Sequence, residues 1–441
     1  MSISIQRKIE ENLYAKKICS VIFWICYSII ISMPLSSNLG FSIPFVDRLV
    51  KLSMYIIIMN TIIYILRIKS IKLTRCDIIL LLLYLLYTLS FIIGLFKFKL
   101  YAVDDFRRFI EHLFIFISAS IIIDKNTIKI FIKLTIYSLI LNGLILVIIK
   151  FILLPKNIVT MSITHETING RFGVTNQSLY IIIIPLLFYY IYESKRLRES
   201  KVKYFIFILL LLYLLGVNAS RTLIIMTVIN LIFIMIAISI HYSSINISKK
   251  FKWYNKFKFI IYFILIIAAF CGIIYYLNYI NSPIINRFQD LLLKTGSFSS
   301  LTSRDITNDY YISQVKKNIF GYGFGSFMPL IDSKYKFYQV DWFYTDNTIV
   351  TLLYKGGVVA VLLLIIFIIN IYRYNLKLYY VTRKEEYLIL LATIPSFLLS
   401  MYATSTQVIH SPVIYMFIWT YFAIIDRDYK QITNNLIKIK Y

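Results

Sequence analysis

The sequence predicts an all-α, polytopic membrane protein, and three observations carry that expectation. Of 441 residues, 59% are hydrophobic and only 15% are charged, with a mean hydropathy of +0.75. Such a composition lies far outside the range of soluble globular domains. Apolar runs of about 20 residues, the length that crosses a hydrocarbon core, recur from one end of the chain to the other. In lipid an unpaired backbone group costs several kcal/mol, so these runs form helices despite the strand-favouring Ile, Tyr and Phe they contain.

About twelve spans are expected on the criterion of length. They lie near 18–36, 49–66, 76–96, 106–123, 128–153, 176–192, 202–218, 221–241, 258–280, 346–372, 386–403 and 408–425. Residues 1–441 thus read as a single integral membrane domain. The N-terminus has basic residues before its apolar run, as a signal peptide would, but Ser32-Met33-Pro34-Leu35-Ser36 offers no A-x-A-like cleavage site. The first run is therefore expected to stay as a membrane helix.

A net charge of +26 would point to a polyanionic partner in a soluble protein. Here the basic residues concentrate in short loops, such as Arg67, Lys69, Lys72 and Arg75, or Lys249, Lys250, Lys252, Lys256 and Lys258. These alternate with basic-poor connections, which is the positive-inside pattern. The charge therefore reports topology, with both termini cytoplasmic and a lipid bilayer as partner; no nucleic acid is expected. Cys19, Cys26, Cys76 and Cys271 form no C-x-x-C pair, so neither a disulfide framework nor a metal site is expected.

One connection stands apart. Residues 281–345 form a large external loop between the ninth and tenth spans, and 154–175 form a shorter polar one. Long loops in compact proteins are usually functional. The cytoplasmic loops are too short to hold a domain, and the chain carries no G-x-x-x-x-G-K-[ST] or H-E-x-x-H motif. A nucleotide-sugar glycosyltransferase and an ATPase are disfavoured on those grounds.

Charges at the ends of lipid-facing helices are expensive and mark functional candidates. The segment INGRFGVTNQSL (168–179) offers Arg171 and Asn176 as substrate contacts, or else forms a turn with a snorkelling arginine. NASRTL (218–223) breaks two apolar runs and carries Arg221, an arginine that a plain hairpin does not require. SRDITNDYYISQVKKNIFGYGFGSF (303–327) holds Arg304 and Asp305 in a short polar helix, followed by Gly321, Gly323 and Gly325. A guanidinium binds phosphate oxygens bidentately at any pH. The glycines, Gly323 at their centre, let backbone approach a ligand or make a tight turn. TDNTIVTLLYKGGV (345–358) opens the tenth span with Asp346 and Asn347; Thr345 or Asp346 is a candidate N-cap, and the Asp346 carboxylate a candidate general base, with His165 or Glu166 behind it.

Other polar residues read as structural. His112 and His410 are expected to be satisfied within the bundle, His241 sits at a cytoplasmic helix end, and Asp426-Arg427-Asp428 reads as a solvated tail. Asp104-Asp105 with Arg107-Arg108, at the outer end of the fourth span, is a further candidate for substrate contact.

Taken in order, the SR dipeptide opening a helix, the late external loop with SR…NIFGYGFGSF and the helix beginning Asp346-Asn347…K-G-G resemble the O-antigen polymerase and ligase superfamily. The resemblance covers roughly 165–360; the first half matches in general topology. It implies a GT-C-like fold at the outer face of the bacterial cytoplasmic membrane. The implied reaction needs no metal or cofactor and takes an undecaprenyl-diphosphate-linked oligosaccharide as donor. By motif match Arg221 and Arg304 hold the diphosphate, with Arg171 as a third; they join Asp346 as catalytic candidates. Asn176, Asn347, Asp305 and Gly323 are candidate substrate contacts. Family ligases usually carry His-Asn where this chain has Asp346-Asn347, a departure that points to a Wzy-type polymerase of O-antigen or capsule, with a chain-length regulator as an accessory partner. A ligase-type transferase shares the donor and differs in the acceptor. A lipid-linked oligosaccharide flippase is the alternative outside enzymes, and predicts repeat-related halves with charges near mid-bilayer.

Overall fold

A computed structural model describes residues 2–34, 44–67, 74–123, 127–153, 178–197, 200–218, 221–244, 298–331, 337–338, 345, 347–403 and 411–439. Helices dominate: α1 (Ser2–Ser32), α2 (Pro44–Arg67), α3 (Arg75–Phe98), α4 (Leu100–Ile122), α5 (Ile128–Ile148), α6 (Tyr180–Leu197), α7 (Lys201–Asn218) and α8 (Arg221–Ser244). They continue with α9 (Phe298–Lys317), α10 (Thr348–Thr382), α11 (Glu385–Ala403) and α12 (Pro412–Ile439). Between α9 and α10 a two-residue antiparallel ladder pairs β1 (Leu330–Ile331) with β2 (Phe337–Tyr338).

Among the described residues, five segments are long and apolar enough to cross a membrane: Tyr14–Ser32, Phe45–Leu66, Arg75–Phe98, Ile128–Ile148 and Thr348–Thr382. Along α3, Leu81, Leu85, Leu89 and Ile93 face outward, a surface that water would penalise and lipid does not. The protein is a multi-pass membrane protein. The span expected at 258–280 lies outside the described residues.

Several boundaries differ from the sequence reading, while the span expected at 128–153 is filled to its end. Lys99 alone, at φ 52°, turns the chain from α3 into α4, so α4 begins at Leu100 rather than near 106. Asp104, Asp105, Arg107 and Arg108 consequently lie inside a helix instead of at its mouth. Helix α5 ends in a π-helical turn, Ile149–Leu153. Helix α10 starts at Thr348 and runs to Thr382, interrupted only at Gly357 (φ 82°, ψ 171°).

Helix α4 packs against α2, α3 and α12; α10 packs against α3, α11, α12 and α9; α8 packs against α6 and α11. One face of this bundle gathers helix ends through buried polar contacts. Thr74, the N-cap of α3, donates to Asp426 Oδ1 at 3.0 Å, while Lys430 reaches Asp77 at 3.3 Å. Arg427 donates to Thr127 at 3.2 Å and pairs with Asp428 at 2.8 Å, and Tyr387 donates to Asp428 at 2.8 Å. The expectation of a solvated tail is thereby corrected: Asp426, Arg427 and Asp428 are 1%, 6% and 5% exposed, because α12 continues past its apolar run and lays them against α3, α5 and α11. On the same face His241 meets Glu385 at 3.4 Å and the Tyr379 hydroxyl at 3.1 Å, and Tyr189 donates to Glu385.

Candidate functional site

The opposite face is organised by the glycine-rich segment 318–327. Asn318 closes its first turn, donating to the Gly321 carbonyl at 2.7 Å and accepting from the Phe320 amide at 3.3 Å. Gly321, Gly323 and Gly325 have φ of +82°, +96° and +83°, a region costly for any residue with a Cβ. The conformation lets backbone lie directly on backbone. A Cβ at Gly323 would fall 2.8 Å from the Gly94 nitrogen of α3, and one at Gly94 would fall 2.0 Å from the Phe324 carbonyl oxygen. A Cβ at Gly325 would fall 2.5 Å from the Ala102 nitrogen of α4.

Helix α10 receives the other side of this loop at its kink. In an unbroken helix the Val358 amide would bond to the Tyr354 carbonyl four residues back. Here Gly357 turns the chain, Val358 donates to Ile319 O at 2.9 Å, and the released Tyr354 carbonyl accepts from the Tyr322 amide at 2.7 Å. The next carbonyl, of Lys355, accepts from Ser90 Oγ at 2.6 Å and from the Gly323 amide at 3.2 Å. One intrahelical bond is thus exchanged for two bonds to the loop.

The Lys355 side chain is fully buried and pairs with Asp105 of α4, itself 2% exposed. The same Asp105 oxygen accepts from the Gly325 amide at 2.8 Å. Around this contact Phe324 inserts among Tyr87, Phe106 and Phe109, at ring-centroid distances of 5.6, 5.3 and 4.7 Å. Helix α9 is tied down separately. Thr307 accepts from the Ile331 amide at 2.9 Å, and Tyr311 donates to the Pro329 carbonyl at 2.9 Å and packs on Tyr354 at 4.9 Å. Burial, reinforced by Tyr354 and Tyr310, raises the pKa of the Tyr311 phenol, so it stays a donor.

Close to these contacts, a cavity of about 80 Å³ is lined mainly by aromatic and aliphatic side chains, among them Tyr87, Ile182, Leu352 and Tyr415, with His112 and Thr348 as polar members. Thr348 Oγ1, buried at the start of α10, has no hydrogen-bond partner among the described residues. The Tyr415 hydroxyl donates to Glu111 at 2.6 Å, and the His112 ring lies 4.5 Å from that of Tyr415.

Of the residues singled out from sequence, Asn347 is the N-cap of α10, accepting from the Ile349 and Val350 amides at 3.0 and 3.2 Å. It fills the capping place expected of Thr345 or Asp346. Gly323 sits at the loop's contact with α3. Arg304 and Asp305 lie within α9, and Arg221 is the first residue of α8; their side chains lie outside the described residues. Because the far end of α8, at His241, meets Tyr379 and Glu385, Arg221 opens that helix on the loop-bearing face. Arg171, Asn176 and Asp346, together with His165, Glu166 and His410, lie outside the described residues. Lys355 enters the sequence reading only as the first residue of K-G-G, without a role, and Ser90 and Gly94 do not enter it. The available signal was electrostatic: Lys355 and Asp105 are opposite charges, each stranded beside apolar residues, and such charges require a partner.

No protein-family model matches the chain, and neither a curated protein nor a solved structure shows significant similarity to it.

Proposed function

We propose that the chain is a polysaccharide polymerase that joins undecaprenyl-diphosphate-linked repeat units at the outer face of a bacterial cytoplasmic membrane. In this reading it has about twelve spans, a GT-C-like arrangement and cytoplasmic termini, and the loop-bearing face looks outward. One observation supports the reading above others. The start of α8 at Arg221, helix α9 with Arg304, and the capped start of α10 beside position 346 lie at one end of the bundle, and Thr348 and Leu352 of α10 line a cavity. These are the elements from which the resemblance draws its diphosphate-binding and base residues.

The chemistry asked of them balances without a metal. A hydroxyl oxygen of the acceptor glycan attacks the anomeric carbon of the donor, the bond from that carbon to the diphosphate oxygen breaks, and the electron pair leaves with the diphosphate. Arg221 and Arg304 stabilise the charge growing on that leaving group. The proton of the attacking hydroxyl passes to a carboxylate, for which Asp346 is the candidate. Arg171, Asn176, Asn347 and Asp305 complete the substrate contacts, and a chain-length regulator acts alongside.

Reconstitution of the purified protein in liposomes with a lipid-linked repeat unit as sole substrate tests this directly. The wild type elongates the glycan, whereas a ligase requires a second acceptor and a flippase moves the lipid without lengthening it. Arg221→Ala and Arg304→Ala each lower elongation by roughly 10²–10³-fold, the scale for removing one donor from a developing negative charge. Full-length polymer from both variants removes the mechanism.

A further inference from the structure

We infer that the buried Asp105–Lys355 pair is a positioning clamp that sets the place of α9, and with it Arg304, over the loop-bearing face. Its catalytic consequence rests on the polymerase reading; its structural content does not. A buried ion pair is a poor way to add stability, because desolvating both groups costs several kcal/mol each and an apolar pair of similar volume often serves as well or better. What the pair supplies here is geometry. Asp105 accepts from the Gly325 amide and holds the ammonium of Lys355, while the Lys355 carbonyl takes Ser90 from α3 and the Gly323 amide. The side-chain pair thus ties the loop to α4 and α4 to α10, next to the Lys355 backbone carbonyl that takes Ser90 of α3 and the Gly323 amide, and an apolar replacement of the pair offers no acceptor for the Gly325 amide.

The chain order extends this hold to α9. Helix α9 ends at Lys317, one residue before Asn318 opens the clamped segment. Downstream, Met328 packs with Tyr311 of α9 and Val350 of α10, and Ile331 bonds to Thr307. Helix α9 is thus held between the clamped loop on one side and the ladder that follows it on the other. Freed at residues 323–325, the loop keeps its bonds to α10 at Ile319 and Tyr322 and α9 keeps the contacts of Thr307 and the tyrosines, so α9, and Arg304 with it, is free to tilt about those anchors.

The test uses the full chain in nanodiscs, with the four native cysteines replaced and spin labels at Asp309→Cys on α9 and Val103→Cys on α4. The single change Lys355→Met strands the Asp105 carboxylate and risks misfolding, so the informative variant is the apolar double replacement Asp105→Leu with Lys355→Met, which leaves the Gly325 amide no acceptor. The label-to-label distance distribution is narrow in the otherwise wild-type chain and broad or shifted in the double variant, while the thermal midpoint changes little. Elongation then falls about 10²-fold, the scale for misplacing a reacting group by about 1 Å. A merely stabilising pair would lose stability and activity together. An unchanged distance distribution overturns the clamp, and so does a broadened one with undiminished elongation. Should the chain without the double change make no polymer, the polymerase reading fails by itself, and the spin-label distances still decide for or against the clamp.

Discussion

Asp426 carries a carboxyl one residue beyond the apolar run 408–425. Burial, then the nearby Asp77 carboxylate, raises its pKa to about 7 from an ordinary 3.8. A carboxyl with a raised folded pKa is held in its neutral form, so its favourable contribution is present at low pH and is lost as pH rises through about 7. The thermal midpoint of the wild type in detergent therefore falls between pH 5 and 8 by more than that of Asp426→Asn, which keeps an acceptor for Thr74 but does not ionise. Parallel pH profiles for the two proteins would contradict this. Gly323→Ala combines a strained φ with a Cβ aimed at the Gly94 backbone. It lowers stability by about 1–3 kcal/mol, or displaces the loop to avoid that cost. Gly356→Ala meets side chains rather than backbone, the Tyr87 ring edge at 3.0 Å and the Ala360 Cβ at 3.5 Å, and has a smaller effect in the same thermal assay.

Helix α10 shows how one element serves two surroundings. Its start, as far as the kink, accepts the loop, and its remainder is apolar enough to cross a bilayer. Gly357 separates the two, and its place is set by contact with backbone: a Cβ there would fall 2.6 Å from the Phe320 carbonyl carbon and 2.7 Å from the Ile319 oxygen. Gly357→Ala consequently expels the loop, read as protease cleavage within 318–327 at a concentration that leaves the wild type intact. Asn347→Ala removes the N-cap of α10 and costs about 1 kcal/mol, measurable as a lowered thermal midpoint. On the polymerase reading, elongation is reduced as well, because the cap restrains the residue beside position 346.

Among the described residues, two groups of buried polar contacts gather at opposite ends of the bundle. Thr74, Thr127, His241, Glu385 and Asp426 lie at one; Ser90, Asp105, Gly323 and Lys355 lie at the other. On the proposed topology, in which the basic loops are cytoplasmic, a membrane-impermeant maleimide applied to intact cells labels Asp309→Cys. It labels Tyr380→Cys only after permeabilisation. The opposite pattern would invert the topology and remove any externally acting enzyme of this kind.

Hydropathy alone determined the helical class and the multi-pass character, because lipid leaves a backbone little choice and every apolar run records that constraint locally. The polar helix at 303–317 and the break before Arg221 were legible for the same reason: both are changes of composition along the chain. Only the tertiary structure decided that Asp426-Arg427-Asp428 is buried, that Asn347 rather than its neighbours caps α10, and that the K-G-G and G-x-G-x-G motifs are two halves of one contact. These depend on which distant charges and carbonyls meet, Asp105 with Lys355 and Gly357 with Ile319, and pairing across the chain leaves no periodic trace in a single sequence.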